Sequence, residues 1–234
     1  MKKWLFVVLL CMFSVSSMAQ ERGLTGRFYG VLGHSYAENF YGSMAMVADY
    51  STGKGLGLTG GVELFRGSGY AATAAWQSRL PWPSEHFFLY NRYLYRLFAR
   101  WNLNEFSSHV ALGYETKHWR FTFGVANRFM SPFHAYDKSG STDYVFEPFN
   151  IMYEIYYKTA FGRDDSWTFG ARASDYDDFV TDRTFQPMFS VAVGHDFTKN
   201  VDIYLRTVCC PTGMFSLSAN YYELFFILGL HKKW

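Results

Sequence analysis

From end to end this chain alternates apolar residues with polar or small ones at a period of two. Successive side chains of a strand point to opposite faces, so the pattern calls for strands with one apolar face. In 118–129, Trp119, Phe121, Phe123 and Val125 share one face, while Arg120, Thr122, Gly124, Ala126 and Arg128 share the other. In 149–158, Phe149, Ile151, Tyr153, Ile155 and Tyr157 oppose Asn150, Met152, Glu154, Tyr156 and Lys158. The stretches 166–174 and 186–194 repeat the rule, with Trp167, Phe169, Ala171 and Ala173 and then Phe189, Val191 and Val193 on the apolar side.

A soluble β-sandwich alternates too, but its polar face carries more charge and its surface fewer aromatics. Here aromatics make up 21% of residues and charged residues only 18%. A lipid-facing surface with interfacial aromatic girdles accounts for both figures. The alternating segments run to about ten residues, enough for a tilted strand to cross a bilayer. A helical membrane bundle is disfavoured. Beyond the first nineteen residues the longest purely apolar run is Leu224 to Leu230, far short of the roughly 20 residues a helical span needs.

Those first residues, Met1 to Ala19, read as a secretory leader. Lys2 and Lys3 form a charged start and Trp4 to Phe13 an apolar stretch. Ser17-Met18-Ala19 puts small residues before a cut ahead of Gln20. The chain divides into this leader, 1–19, and one barrel domain, 20–234. The leader carries two lysines and no acid, so its loss brings the 22 Lys+Arg level with the 20 Asp+Glu. A mature charge near zero removes the main electrostatic support for a nucleic-acid partner. Cys11 leaves with the leader. Cys209 and Cys210 are adjacent and point to opposite faces of a strand, so no disulfide framework follows.

Breaks rich in turn residues place strands near 23–33, 41–50, 56–66, 69–79, 86–99, 107–116, 118–130, 145–161, 166–175, 184–197, 201–209 and 213–231. The fold class is therefore all-β, an antiparallel up-and-down transmembrane β-barrel of about 12 strands. Parity gives a check, because an even count returns both termini to one side. The second, sixth, eighth and tenth connections (51–55, 116–117, 162–165 and 198–200) are short. The first, seventh and ninth, near 34–40, 131–144 and 176–183, are longer, as external loops are. Three fit less well: 66–69 and 210–212 are short for external loops, and 80–85 is long for a periplasmic turn. The segment 86–100 stays open at this stage. Arg92, Arg96 and Arg100, spaced by four, share a face of either a strand or a helix, and Pro83-Ser84-Glu85 resembles a helix start. Phe87, Phe88, Tyr90, Tyr93 and Tyr95 favour the strand; a helix would leave ten strands.

On these strands Arg92, Arg96, Arg100, Arg120, Arg128 and Arg172 point into the barrel. A guanidinium is always charged, so it belongs in a lumen and not in lipid. Such a row could conduct an anionic solute through successive weak contacts. Glu63, Glu115 and Glu154 share the lumen, and the competing reading is that arginine and glutamate pair across a filled interior. Asp175, Asp177, Asp178 and Asp182 gather beside one external loop without the spacing of a calcium loop, and read as a solvated acidic loop. His34, His134 and His195 lack metal-ligand spacing. No metal site and no cofactor follow from the sequence. The glycines Gly55, Gly57, Gly60 and Gly61 lie in or near a strand, where they ease packing, with no phosphate-loop context.

The chain closes on Phe226-Ile227-Leu228-Gly229-Leu230-His231-Lys232-Lys233-Trp234. Alternate apolar residues Phe226, Leu228 and Leu230 with terminal Trp234 resemble the assembly signal in the last strand of Gram-negative outer-membrane barrels. Lys232 departs from that pattern, which has an apolar or aromatic residue there. The resemblance implies outer-membrane residence after export, contact with membrane lipid and lipopolysaccharide, and handling by the barrel-assembly machinery through the last strand. In size and inward arginines the chain also looks like small twelve-stranded channels that pass acidic sugars, without any motif of theirs. The function expected is a narrow channel, open to small anionic solutes, or a structural protein of the envelope. The alternative is a barrel-embedded lipid-modifying hydrolase. Ser107 and His109, two apart, share a face and could form a nucleophile and base. The deacylase order of His, one residue, Ser and then Asn is absent, since Ala111 and Leu112 follow His109 where Ser and Asn would stand.

Overall fold

The computed structural model describes residues 23–35, 40–52, 55–65, 69–81, 86–99, 103–132, 145–175, 187–211 and 222–234. The leader, Arg100, His134, Asp177, Asp178 and Asp182 lie outside the described residues. Twelve strands follow one another: β1 (Gly23–Ser35), β2 (Tyr41–Ser51), β3 (Leu56–Phe65), β4 (Tyr70–Pro81), β5 (Phe87–Phe98), β6 (Leu103–Glu115), β7 (Trp119–Pro132), β8 (Val145–Phe161), β9 (Trp167–Ser174), β10 (Met188–Thr198), β11 (Val201–Pro211) and β12 (Tyr222–Lys233). Each pairs antiparallel with its neighbours in sequence, and β1 closes on β12 from Thr25 opposite Lys233 to Ser35 opposite Glu223. Closure removes the two free edges that an open sheet would expose.

The open question over 86–100 resolves as strand. Phe87 to Phe98 pairs along its whole length with β6 and from Phe88 to Phe98 with β4, so the barrel has twelve strands and not ten. One strand limit differs from the sequence expectation. β6 begins at Leu103 and not near 107, because Leu103 to Phe106 are laddered on both sides. The expected start of β10 near 184 lies outside the described residues, and its described part runs from Met188. The expected start of the last strand, 213–221, lies outside the described residues.

The even strand count puts both ends of the barrel on one rim, here termed the turn end. The connections after β2, β6, β8 and β10 at this rim are tight. Thr52 N–H bonds Leu56 O at 3.0 Å, Thr116 N–H bonds Trp119 O at 2.8 Å, and only Lys199 and Asn200 separate β10 from β11. Between β8 and β9 a single 3-10 turn (Arg163–Asp165) follows Gly162, whose φ of 86° is in the left-handed region that favours glycine. The opposite rim, the loop end, carries the connections after β1, β3, β5, β7, β9 and β11.

The outer face is a belt of exposed apolar side chains. Leu32, Met46, Phe123, Phe149, Ile151 and Leu228 each expose more than three-fifths of their surface. At the turn end this belt ends in a girdle of rings. Trp119 packs on Tyr157 at 4.8 Å between centroids, Trp167 on His195 at 4.5 Å, and Phe87 on Tyr114 at 5.0 Å. A continuous apolar surface with an aromatic rim is what a bilayer solvates and water does not. Cys209 lies on the outer face and Cys210 on the inner, both as free thiols.

One irregularity re-aims a charge. Between β7 and β8 the register slips, so that Ala126 faces Asn150 but Arg128 faces Glu147. Pro148 and Phe149 form the extra step in β8, where a proline without an N–H suits a bulge. Below the bulge the inward residues are Asn150, Met152, Glu154 and Tyr156; above it, Glu147 turns inward.

Candidate functional site

Pairing fixes which side chains enter the lumen, and they divide by height. Near the turn end a cavity of about 670 Å³ opens among β1–β5, β7 and β8. Five cationic side chains line it: Arg27, Arg79, Arg92, Arg120 and Lys233. Two carboxylates line it with them, Asp49 and Glu154. The sequence reading missed Arg27, Arg79 and Lys233 as lumen residues. Arg27 and Lys233 stand at alternate positions of the strands that close the barrel, a signal available in principle once β1 and β12 are paired.

Most of these charges meet a counter-charge on an adjacent strand, and Arg79 of β4 meets one on β6. Arg27 Nε donates to Asp49 Oδ2 at 3.0 Å, and Thr59 Oγ1 donates to the same carboxylate at 2.7 Å. Arg79 pairs with Glu115 and lies 3.8 Å over the Phe88 ring. Glu154, almost wholly buried, holds two guanidinium groups at once: Arg120 Nε at 2.7 Å on Oε1 and Arg172 Nε at 2.6 Å on Oε2. Higher up, Arg96 Nη2 donates to Glu105 Oε1 at 2.6 Å with both side chains buried. Arg128 is held by Glu147 at 3.0 Å. Glu63 accepts a hydrogen bond from Ser43.

Among the described arginines of the sequence reading, Arg92, Arg96, Arg120, Arg128 and Arg172 all point inward. Arg96, Arg120, Arg128 and Arg172 form a ladder with carboxylates and not an open cationic row. The ion pairs let a low-dielectric interior hold full charges, which alone would be prohibitive. The lining of the turn-end cavity has five cationic side chains and two carboxylates, with Glu115 pairing Arg79 from outside that lining.

The loop-end half of the interior is different again. Tyr29, Val31, Ala45, Val208, Phe225 and Ile227 point inward and pack into one apolar cluster, which also takes in Ala71, Phe98 and Met188. Val208 and Ile227 expose nothing, 0% each.

Ser107 and His109 lie mid-strand in β6, both buried and both inward. Ser107 stands between Leu94 and Arg128, and His109 between Arg92 and Ala126. Ser107 Oγ has no hydrogen-bond partner among the described residues, so it is not bonded to His109. Asp175, expected as part of a solvated loop, is buried, and its Oδ1 accepts the Tyr153 backbone N–H at 2.8 Å. It thereby caps an edge of β8. His195 contacts Ser166 O and stacks on Trp167, and His34 packs edge-on against Phe40. Among the described residues no group of three or more His, Cys, Asp or Glu could hold a metal ion.

Neither a protein-family model nor a curated protein matches the sequence. Solved structures do match the fold. The NanC porin superposes with a TM-score of 0.56 at 11% identity, over 88% of this chain and 100% of that one. The KdgM porin in complex with disordered oligogalacturonate gives 0.54 at 10% identity, over 89% and 99%. An outer-membrane channel from Pseudomonas putida F1 gives 0.50 at 12% identity, over 95% and 98%. At such identities the likeness is one of fold. This chain has the closed twelve-stranded fold of Gram-negative outer-membrane β-barrel porins and channels.

Proposed function

We propose that this protein is a narrow outer-membrane channel for small anionic solutes. Its apolar belt and aromatic girdle suit a bilayer, and the fold it shares with porins suits the outer membrane in particular. The leader at residues 1–19 would deliver it to the periplasm, and the last strand would engage the assembly machinery there. The observation that carries the reading is the turn-end cavity. Five cationic side chains against two carboxylates make it an attractive well for an anion entering the lumen.

Purified protein in planar bilayers under a salt gradient tests this. The expected result is discrete conductance with a reversal potential on the anion side, reduced in Arg92→Gln and in Arg120→Gln. Absence of conductance from correctly folded barrels would overturn the channel reading and leave a structural role in the envelope. Sequencing of the mature protein tests the leader, with Gln20 as the expected first residue.

A further inference from the structure

We infer that the channel is gated: a packed septum seals the lumen midway, and the turn-end cavity is a vestibule that opens to one rim only. The inference rests on the channel reading and adds its resting state.

It starts from how little of the inward face is wet. Strands that line a water-filled pore expose their inward side chains to that water. Here each of the twelve strands has at least one inward residue exposed by 6% or less. Ser107, Met152, Val208 and Ile227, on four different strands, expose 0%.

The turn-end cavity has a floor. Arg92, Thr122 and Glu154 line it, yet all three are buried. One inward position further from the turn end, β5 carries Leu94 and β8 carries Met152, and both are buried as well. His109, directly opposite Arg92, is buried beside them. An anion drawn in from the turn-end rim therefore stops at packed side chains.

The loop-end cluster completes the seal. It draws on seven strands, β1, β2, β4, β5, β10, β11 and β12. Phe98 of β5 and Met188 of β10 both belong to it, and their strands stand on nearly opposite sides of the closed barrel. Packed hydrocarbon excludes water and hydrated ions, which is how apolar constrictions close pores. The wall is laddered all the way round, so it resists spreading. Opening must come from side chains that change rotamer, and unbranched Met188 is the most adaptable of them. Each such change breaks close packing, so openings are brief.

Two measurements on the full-length mature barrel test the septum. The first uses Met152 and Met188 as native probes, with hydrogen peroxide as oxidant and mass spectrometry as the readout. In the folded wild type both should form sulfoxide at least about tenfold more slowly than in the urea-unfolded chain, since oxidation follows exposure. A smaller protection of Met152 would mean a wetted lumen and would overturn the septum. The second is single-channel recording in planar bilayers. Wild type should show brief, discrete openings, and Phe98→Ser with Ile227→Ser should lengthen the open time severalfold. An open time unchanged in that variant, with the barrel folded by its gel mobility, would overturn the gate and leave the channel standing. Conductance absent from wild type and variant alike would overturn the channel reading itself, whatever the methionines report.

Discussion

Arg128 grips Glu147 with both prongs of its guanidinium, Nε to Oε2 and Nη2 to Oε1, each at 3.0 Å. Strict alternation from Phe149 would have put Glu147 on the lipid face. The bulge at Pro148 and Phe149 turns it inward and so supplies Arg128 with its counter-charge. Arg96 and Glu105 meet without any such device, since they lie directly opposite in regular register.

These two pairs should differ sharply in what they contribute. Arg96 and Glu105 expose 3% and 4% of their side chains, whereas Glu147 exposes 35%. Glu105→Ala would leave a buried guanidinium without its carboxylate and should cost on the order of 3 kcal/mol. Glu147→Ala, near the wet rim, should cost at most about 1 kcal/mol. Urea midpoints in detergent check the order, and equal losses would refute it. Replacing both partners, Arg96→Met with Glu105→Leu, should recover most of the larger loss.

Glu154 offers a prediction of opposite sign to the arginine variants. Its carboxylate is the common anchor of Arg120 and Arg172 and lines the turn-end cavity. Glu154→Gln removes one of the two acids there and leaves the five cations. Anion preference should rise, while Arg120→Gln lowers it. The reading is a shift of reversal potential at fixed salt gradient. If both variants moved it the same way, the cavity would not lie on the ion path. Glu154→Gln should also lower stability by about 1–3 kcal/mol, because two guanidinium groups lose a charged acceptor.

Several lumen rings lie flat across a glycine on the neighbouring strand, and these contacts set the bore. Tyr204 covers Gly229, and Phe88 covers Gly113, so closely that a Cβ at either glycine would strike the ring. Gly229→Val should therefore swing Tyr204 into the lumen and cost about 1–3 kcal/mol by overpacking. Conductance should fall with it. Gly60 is the control: it faces outward and a Cβ there meets nothing within 4 Å, so Gly60→Val should leave both quantities unchanged. Identical behaviour of the two variants would show that ring placement does not shape the bore.

What could be read from the sequence followed from period two and from the turn residues that break it. Twelve strands, their order of short and long connections, and the inward set Arg92, Arg96, Arg120, Arg128, Glu154 and Arg172 all depend only on which residues share a face. Three kinds of information were out of reach. Glu147 faces inward because of a bulge, and alternation has no means of registering an extra residue; Pro148 was the visible clue. Partner choice, such as Glu154 serving both Arg120 and Arg172, depends on register between strands. The apolar cluster of the interior was hidden for a third reason. On strands whose outer face is already apolar, an inward Val208 or Ile227 looks like more of the same run, and only closure of the barrel reveals that these inward residues pack into one cluster.

Trp234 and Lys232 explain each other at the turn-end rim. Both point outward on the last strand. The indole covers Gly26 of β1, and the Trp234 backbone N–H bonds Leu24 O at 3.0 Å, so the final residue takes part in closing the barrel. The Lys232 ammonium lies 5.1 Å from the ring centroid. A lysine at this position departs from the usual apolar residue, yet at the rim it can lay its stem on the ring and raise its charge toward the head groups. The ring should therefore matter more than the charge. Trp234→Phe should keep the amount of folded, heat-modifiable barrel in the outer membrane close to normal. Trp234→Ala should lower it severalfold, because Gly26 is uncovered at the seam between first and last strands. Lys232→Met should change it little, since a flexible apolar chain can cover the same ring. Normal yields from Trp234→Ala, by heat-modifiable gel mobility of outer-membrane fractions, would show that the backbone bond closes the seam unaided.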